Sequence, residues 1–178
     1  MTSFISLFHL GAAISALIFG ACVFFTRKGS RLHKQFGYAY VFNMLGLNIS
    51  ALLIYRLTGH FGAFHGAALA SLVTLTAGFI PAYLRLPQGR WLALHYEFMN
   101  WSYVGLIAAA LSEALTRLPA APFWPAVLLS SLAVFVIGGT LIARQRSRYR
   151  FEIMAGQTRA PLDLASALRQ RRARAACD

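Results

Sequence analysis

FISLFHLGAAISALIFGACVFFT, residues 4–26, followed at once by RKGSRLHK, residues 27–34, decides the fold class. The first stretch carries no charge, and the second holds the four cations Arg27, Lys28, Arg31 and Lys34. About 20 largely apolar residues, at 1.5 Å rise each, cross the hydrocarbon core of a bilayer. No water is available there, so a spanning segment must satisfy its own backbone, which a helix does. The cationic cluster is the stop.

The same alternation recurs along the chain. Apolar segments at Phe36–Tyr55, Phe61–Leu84, Trp91–Leu115 and Phe123–Ala143 are separated by short turns. The turn signals are Thr58-Gly59, Pro87-Gln88-Gly89-Arg90 and the stretch from Pro119 to Pro122. Such short connections make neighbours antiparallel. The expectation is an all-α integral membrane bundle of about five transmembrane helices, a four-helix core plus one, over residues 1–143. Residues 144–178 read as a basic cytoplasmic tail. In it Pro161, Asp163, Leu164 and Leu168 suggest a short amphipathic helix ahead of Arg169, Arg171, Arg172 and Arg174. That tail reads either as a solvated topology signal or as an anchor to anionic lipid.

Composition agrees. Of 178 residues, 58% are hydrophobic and 12% charged, against about 25% charged in a soluble domain. A net charge of +12 invites a nucleic-acid reading. The cations sit at the ends of apolar runs, however, so lipid bilayer is the expected partner and nucleic acid is not. The first and third connections and the tail are richer in Lys and Arg than the second, with Arg56, and the fourth, with Arg117. By the positive-inside rule the amino terminus is outside and the carboxyl terminus cytoplasmic, in a bacterial inner membrane. Residues 1–7 carry no cation, so the first segment reads as a retained span rather than a cleaved signal. Cys22 and Cys177 have neither disulfide-framework nor zinc-site spacing.

Chemistry concentrates in the histidines. His9 and His65 fall in the outer parts of the first and third spans; His33 and His95 begin the second and fourth at the cytoplasmic side. Two pairs at matching depth on alternate helices are what bis-imidazole haem ligation requires. Small residues at helical spacing leave room for a ring: Ala12, Ala13 and Ala16 after His9, Ala68 after His65, Gly37 after His33. Met99 follows His95 and leaves less. Arg31, Lys34 and Arg90 are candidate propionate or other anion contacts at the inner pair, and Arg56 or Arg117 at the outer. A metal without porphyrin is a second reading, because imidazole also suits zinc and copper. A third is that the histidines cap helices or sit at the interface. Glu97 lies about 200° around the helix from His95 and off its face. It is placed instead to pair with Arg90 or Arg85. Asn43, Asn48 and Asn100 read as interhelical hydrogen bonds, and Gly11, Gly20, Gly46 and Gly105 as points of close helix approach. Phosphate-binding glycine loops, G-x-S-x-G elbows and HExxH motifs do not occur.

Arg31-Leu32-His33-Lys34-Gln35-Phe36-Gly37-Tyr38 resembles the R-x-H-x-x-x-G-x signature of a bacterial family of predicted membrane proteins of unknown function. His95-Tyr96-Glu97-Phe98-Met99 resembles its second signature, a histidine followed four residues later by methionine. The likeness covers roughly residues 8–115 and implies a four-helix core. In architecture the four alternating histidines are similar to transmembrane di-haem b-type cytochromes, including ascorbate-dependent ferric reductases. That resemblance implies haem b at His9/His65 and at His33/His95, transmembrane electron transfer, and a quinone or redox partner. Ligands in those cytochromes usually lie a turn or more inside the bilayer, a depth His9 and His65 match better than His33. A second copy of the chain is a further expected partner. The rival reading is a non-catalytic subunit, sensor or stability factor.

Overall fold

The computed structural model describes residues 2–54, 61–119 and 122–146, and among them five helices and no strand. They are α1 (Thr2–Phe25), α2 (Arg31–Leu53), α3 (Ala63–Leu84), α4 (Trp91–Thr116) and α5 (Phe123–Arg146). Tyr55, Arg56, His60 and the tail from residue 147, with its expected amphipathic helix, lie outside the described residues. The chain forms two compact units, residues 1–138 and 139–178. The bundle and site below belong to the first. Of the second, the described residues 139–146 are the last turns of α5.

Four helices, α1 from Phe4 together with α2, α3 and α5, are long and apolar enough to cross a membrane. Large apolar side chains face outward on all of them, among them Phe4, Ile18, Phe42, Val73 and Leu128. Exposure on that scale fits hydrocarbon, not water. The helix α4 is not among those four, and its 26 residues span about 39 Å. It buries Ser102 and Leu106 on one side, Val104 and Ala108 on the other. Residues two apart lie about 200° apart on a helix, so α4 is covered on opposite faces. It is the enclosed helix.

Its neighbours follow from the packing. The helix α1 packs on α2, α2 on α3, α3 on α4, and α4 back on α1. That ring places α1 and α3 on one diagonal and α2 and α4 on the other. Ala16, Tyr40, Val41, Met44, Leu75 and Leu106 fill the centre. A bilayer offers no hydrophobic gain for helix association, so close contact and interhelical hydrogen bonds do that work. Gly20 admits the Tyr103 ring, and Gly46 lies where a Cβ would meet Phe8 at 3.1 Å. Gly138 lets Val104 approach α5, a contact reinforced by Ser112 Oγ bonding Ser130 Oγ at 2.8 Å. By contrast, Gly11 and Gly105 have open space beside them.

Two expectations change. The second helix begins at Arg31, five residues before Phe36, because Ser30 caps it: its Oγ accepts from the His33 backbone N–H at 3.1 Å. The amides of Asn43, Asn48 and Asn100 donate to Ala39, Met44 and Tyr96 carbonyls of their own helices, at 2.8, 2.7 and 2.6 Å. Back-bonding within one helix gives each amide nitrogen an acceptor on its own chain.

Candidate functional site

The α2/α4 diagonal is where side chains converge. His33 and His95 stand with ring centroids 6.4 Å apart and planes at 82°. Seven residues further along each helix, Tyr40 Oη and Ser102 Oγ are 2.9 Å apart. The equal spacing shows α2 and α4 running parallel and in register from the end that carries Arg31 and Arg90. Between those two levels Gly37 falls opposite Met99. A Cβ built on Gly37 meets nothing within 4 Å, whereas Met99 leans away against Gly78 of α3.

The protonation of His95 follows from its partner. Its Nδ1 lies 2.9 Å from the Gly78 carbonyl oxygen. A carbonyl can only accept, so Nδ1 carries the proton and neutral His95 keeps its lone pair on Nε2. This is the tautomer of a metal-ligating histidine whose second nitrogen is tied to a backbone carbonyl. The Nδ1 atom of His33 is buried and has no hydrogen-bond partner among the described residues. An imidazole nitrogen left so in an apolar bundle is costly unless something else fills it.

Cations rim this end. Arg31, Lys34, Arg85 and Arg90 are exposed. Lys28, read from the sequence only as one of the cations after the first span, donates from Nζ to the Val23 carbonyl at 2.9 Å and lies over the Phe24 ring at 5.3 Å. It caps the last turn of α1, the position helix ends favour for a cation. Burial lowers the pKa of its ammonium. Glu97 accepts from the Trp101 indole N–H at 3.2 Å on the side of α4 where Trp101 packs on Phe135. The carboxylate is therefore engaged one turn along its own helix.

The outer pair is built differently. His9 Nδ1 lies 2.9 Å from Ser50 Oγ, and the Ser50 hydroxyl donates to the Leu47 carbonyl, also at 2.9 Å. That hydroxyl has one proton, so His9 Nδ1 is the donor to it and Nε2 holds the lone pair. His65 is buried, and its Nδ1 accepts from the backbone N–H of Gly62, the residue preceding α3, at 3.2 Å. Neutral His65 therefore carries its proton on Nε2, the opposite arrangement. The ring is a helix cap. Arg117 pairs with Glu113 one turn before it.

Among the described residues no group of three or more His, Cys, Asp or Glu is placed to hold a metal ion. Among the described residues the α2/α4 diagonal brings together two imidazoles, those of His33 and His95. Bare zinc takes three or four protein ligands, so the pair is short of a zinc site. A porphyrin brings four nitrogens of its own and asks the protein for two. His33 and His95, with ring centres 6.4 Å apart, are the residues that would hold such a group.

Residues 6–147 match the family described as "Predicted membrane protein (DUF2306)". The chain belongs to that family. The match spans all five helices, apart from the first residues of α1, and makes the chain an integral membrane protein. No curated protein and no solved structure matches it.

Proposed function

We propose that this membrane protein carries a b-type haem at the α2/α4 diagonal, with His33 and His95 as axial ligands, and passes single electrons within the bilayer. The observation that carries the reading is the His33–His95 pair: parallel helices in register, rings 6.4 Å apart, and His95 held in the ligating tautomer by Gly78. Bound haem supplies a one-electron couple whose potential is set by its axial ligands and burial. The chain's own residues do the rest. His33 and His95 orient the group, Arg31, Lys34 and Arg90 compensate propionate charge, and the Met44, Leu75 and Leu106 layer excludes water on the far side. The cationic end faces the cytoplasm and the amino terminus lies outside, by the excess of Lys and Arg in that end's connections. A quinone in the bilayer or a soluble redox protein is the exchange partner. The outer pair is left out of the site, because ligation through His65 Nε2 would require its proton to move to Nδ1 and break the Gly62 cap.

The test is an absorbance spectrum of detergent-purified protein, made with ample haem supply, oxidised and then reduced with dithionite. Sharp reduced b-type bands at about one haem per chain are expected. A featureless visible spectrum overturns the reading and leaves the His33–His95 pair a structural contact of a non-catalytic bundle.

A further inference from the structure

Gly78 is buried on α3, seventeen residues from His95, and touches the site in two ways. Its carbonyl receives the His95 Nδ1 proton at 2.9 Å. Its missing side chain is what lets α4 come that close. A Cβ at Gly78 would stand 2.9 Å from Met99 Sδ, 3.0 Å from Met99 Cγ and 3.0 Å from the Met99 backbone nitrogen. A thioether can swing aside; the backbone nitrogen of a packed helix cannot. Pro81 lies three residues on, inside α3. It lacks the N–H that would bond the Ala77 carbonyl, so the ladder is broken beside Gly78. The carbonyl of Gly78 has a second lone pair for a partner outside its own helix.

We propose that Gly78 is the positioning residue of the His33–His95 site: its carbonyl holds His95 in the Nδ1–H tautomer, and its lack of a side chain sets the α3–α4 separation at which that bond forms. The claim rests on the haem reading for its purpose, but the hydrogen bond is measurable without haem. A donated Nδ1–H makes the imidazole a more basic ligand, which favours the oxidised iron. Loss of the bond therefore weakens haem binding and moves the midpoint potential to more positive values.

The experiment is nitrogen-15 NMR of histidine-labelled, haem-free full-length chain in detergent, with the His95 signals assigned from a His95→Gln sample. Wild type is expected to show His95 protonated on Nδ1. Gly78→Ala is expected to show a tautomer mixture, a haem affinity lower by about 10–100-fold and a positive shift of potential. Gly66→Ala, on the same helix with open space beside it, is expected to match wild type in all three. A proton on Nε2 of wild-type His95 overturns the proposal and needs no variant to be folded. Wild-type tautomer, affinity and potential in a folded Gly78→Ala protein overturn it as well. Should wild type take up no haem, the electron-transfer reading falls, and the tautomer alone decides whether Gly78 holds His95.

Discussion

The two ends of the bundle hold the same kind of residue and use it differently. At the cationic end His33 and His95 come from helices that run parallel and in register, and their ring centres lie 6.4 Å apart. At the other end His9 is tied to Ser50 of α2 and His65 caps its own helix. His9 and His95 keep the lone pair on Nε2, whereas His65 gives its Nδ1 lone pair to a backbone N–H and holds its proton on Nε2. Matching depth on alternate helices therefore does not give the rings matching surroundings. The Gly78 carbonyl fixes the proton of His95 on Nδ1, whereas the Gly62 backbone N–H makes His65 a cap.

The strongest way to break this contrast is to exchange the histidines one at a time. His33→Ala or His95→Ala is expected to abolish the reduced b-type band. His9→Ala is expected to keep it, as read by dithionite difference spectra of folded, monodisperse protein. Equal loss from both ends would erase the distinction.

Glycines of α1 sharpen it next. Gly20 holds the Tyr103 ring towards the cationic end, and Gly11 lies open towards the other. Gly20→Leu is expected to destabilise by about 1–3 kcal/mol through overpacking, and Gly11→Leu hardly at all, in reversible unfolding from mixed micelles. His65→Ala should cost about 1 kcal/mol, the worth of a helix cap, and leave the spectrum of the other end unchanged. The smallest effects are hydroxyl deletions. Tyr40→Phe, which removes the bond to Ser102, and Ser112→Ala, which removes the bond to Ser130, should each cost about 0.6 kcal/mol. Circular-dichroism melts resolve them only as a double variant, where the two distant terms add.

Much of the fold is legible along the chain because hydrocarbon imposes one rule on every span. The apolar runs ending at Thr26, Tyr55, Leu84, Leu115 and Ala143 each contain or overlap one observed helix. The start of α2 was harder, since Arg31 and Lys34 look like loop residues by composition. Ser30 nonetheless caps the helix before them, and a cap is a local hydrogen bond that polarity alone does not reveal. For the site, the residues His33 and His95 are legible from their matching depth. Gly78, Lys28 and Ser50 are not. Gly78 reads as one more small residue in a span, and its role depends on a carbonyl, which every residue has. The asparagines mislead in the opposite direction, because an amide in a membrane helix can turn back on its own chain as easily as reach across.

The sequence by itself determined that the chain is helical, that it belongs in a membrane and where its cations lie. Those properties depend on runs of residues and on a solvent that leaves the backbone no alternative. Only the tertiary structure decided which histidines meet and which nitrogen of each ring carries the proton. His95 answers to Gly78, 17 residues away, and His9 to Ser50, 41 away. A proton's place on an imidazole is set within about 3 Å by one donor or acceptor. Bundle packing alone brings that atom into reach.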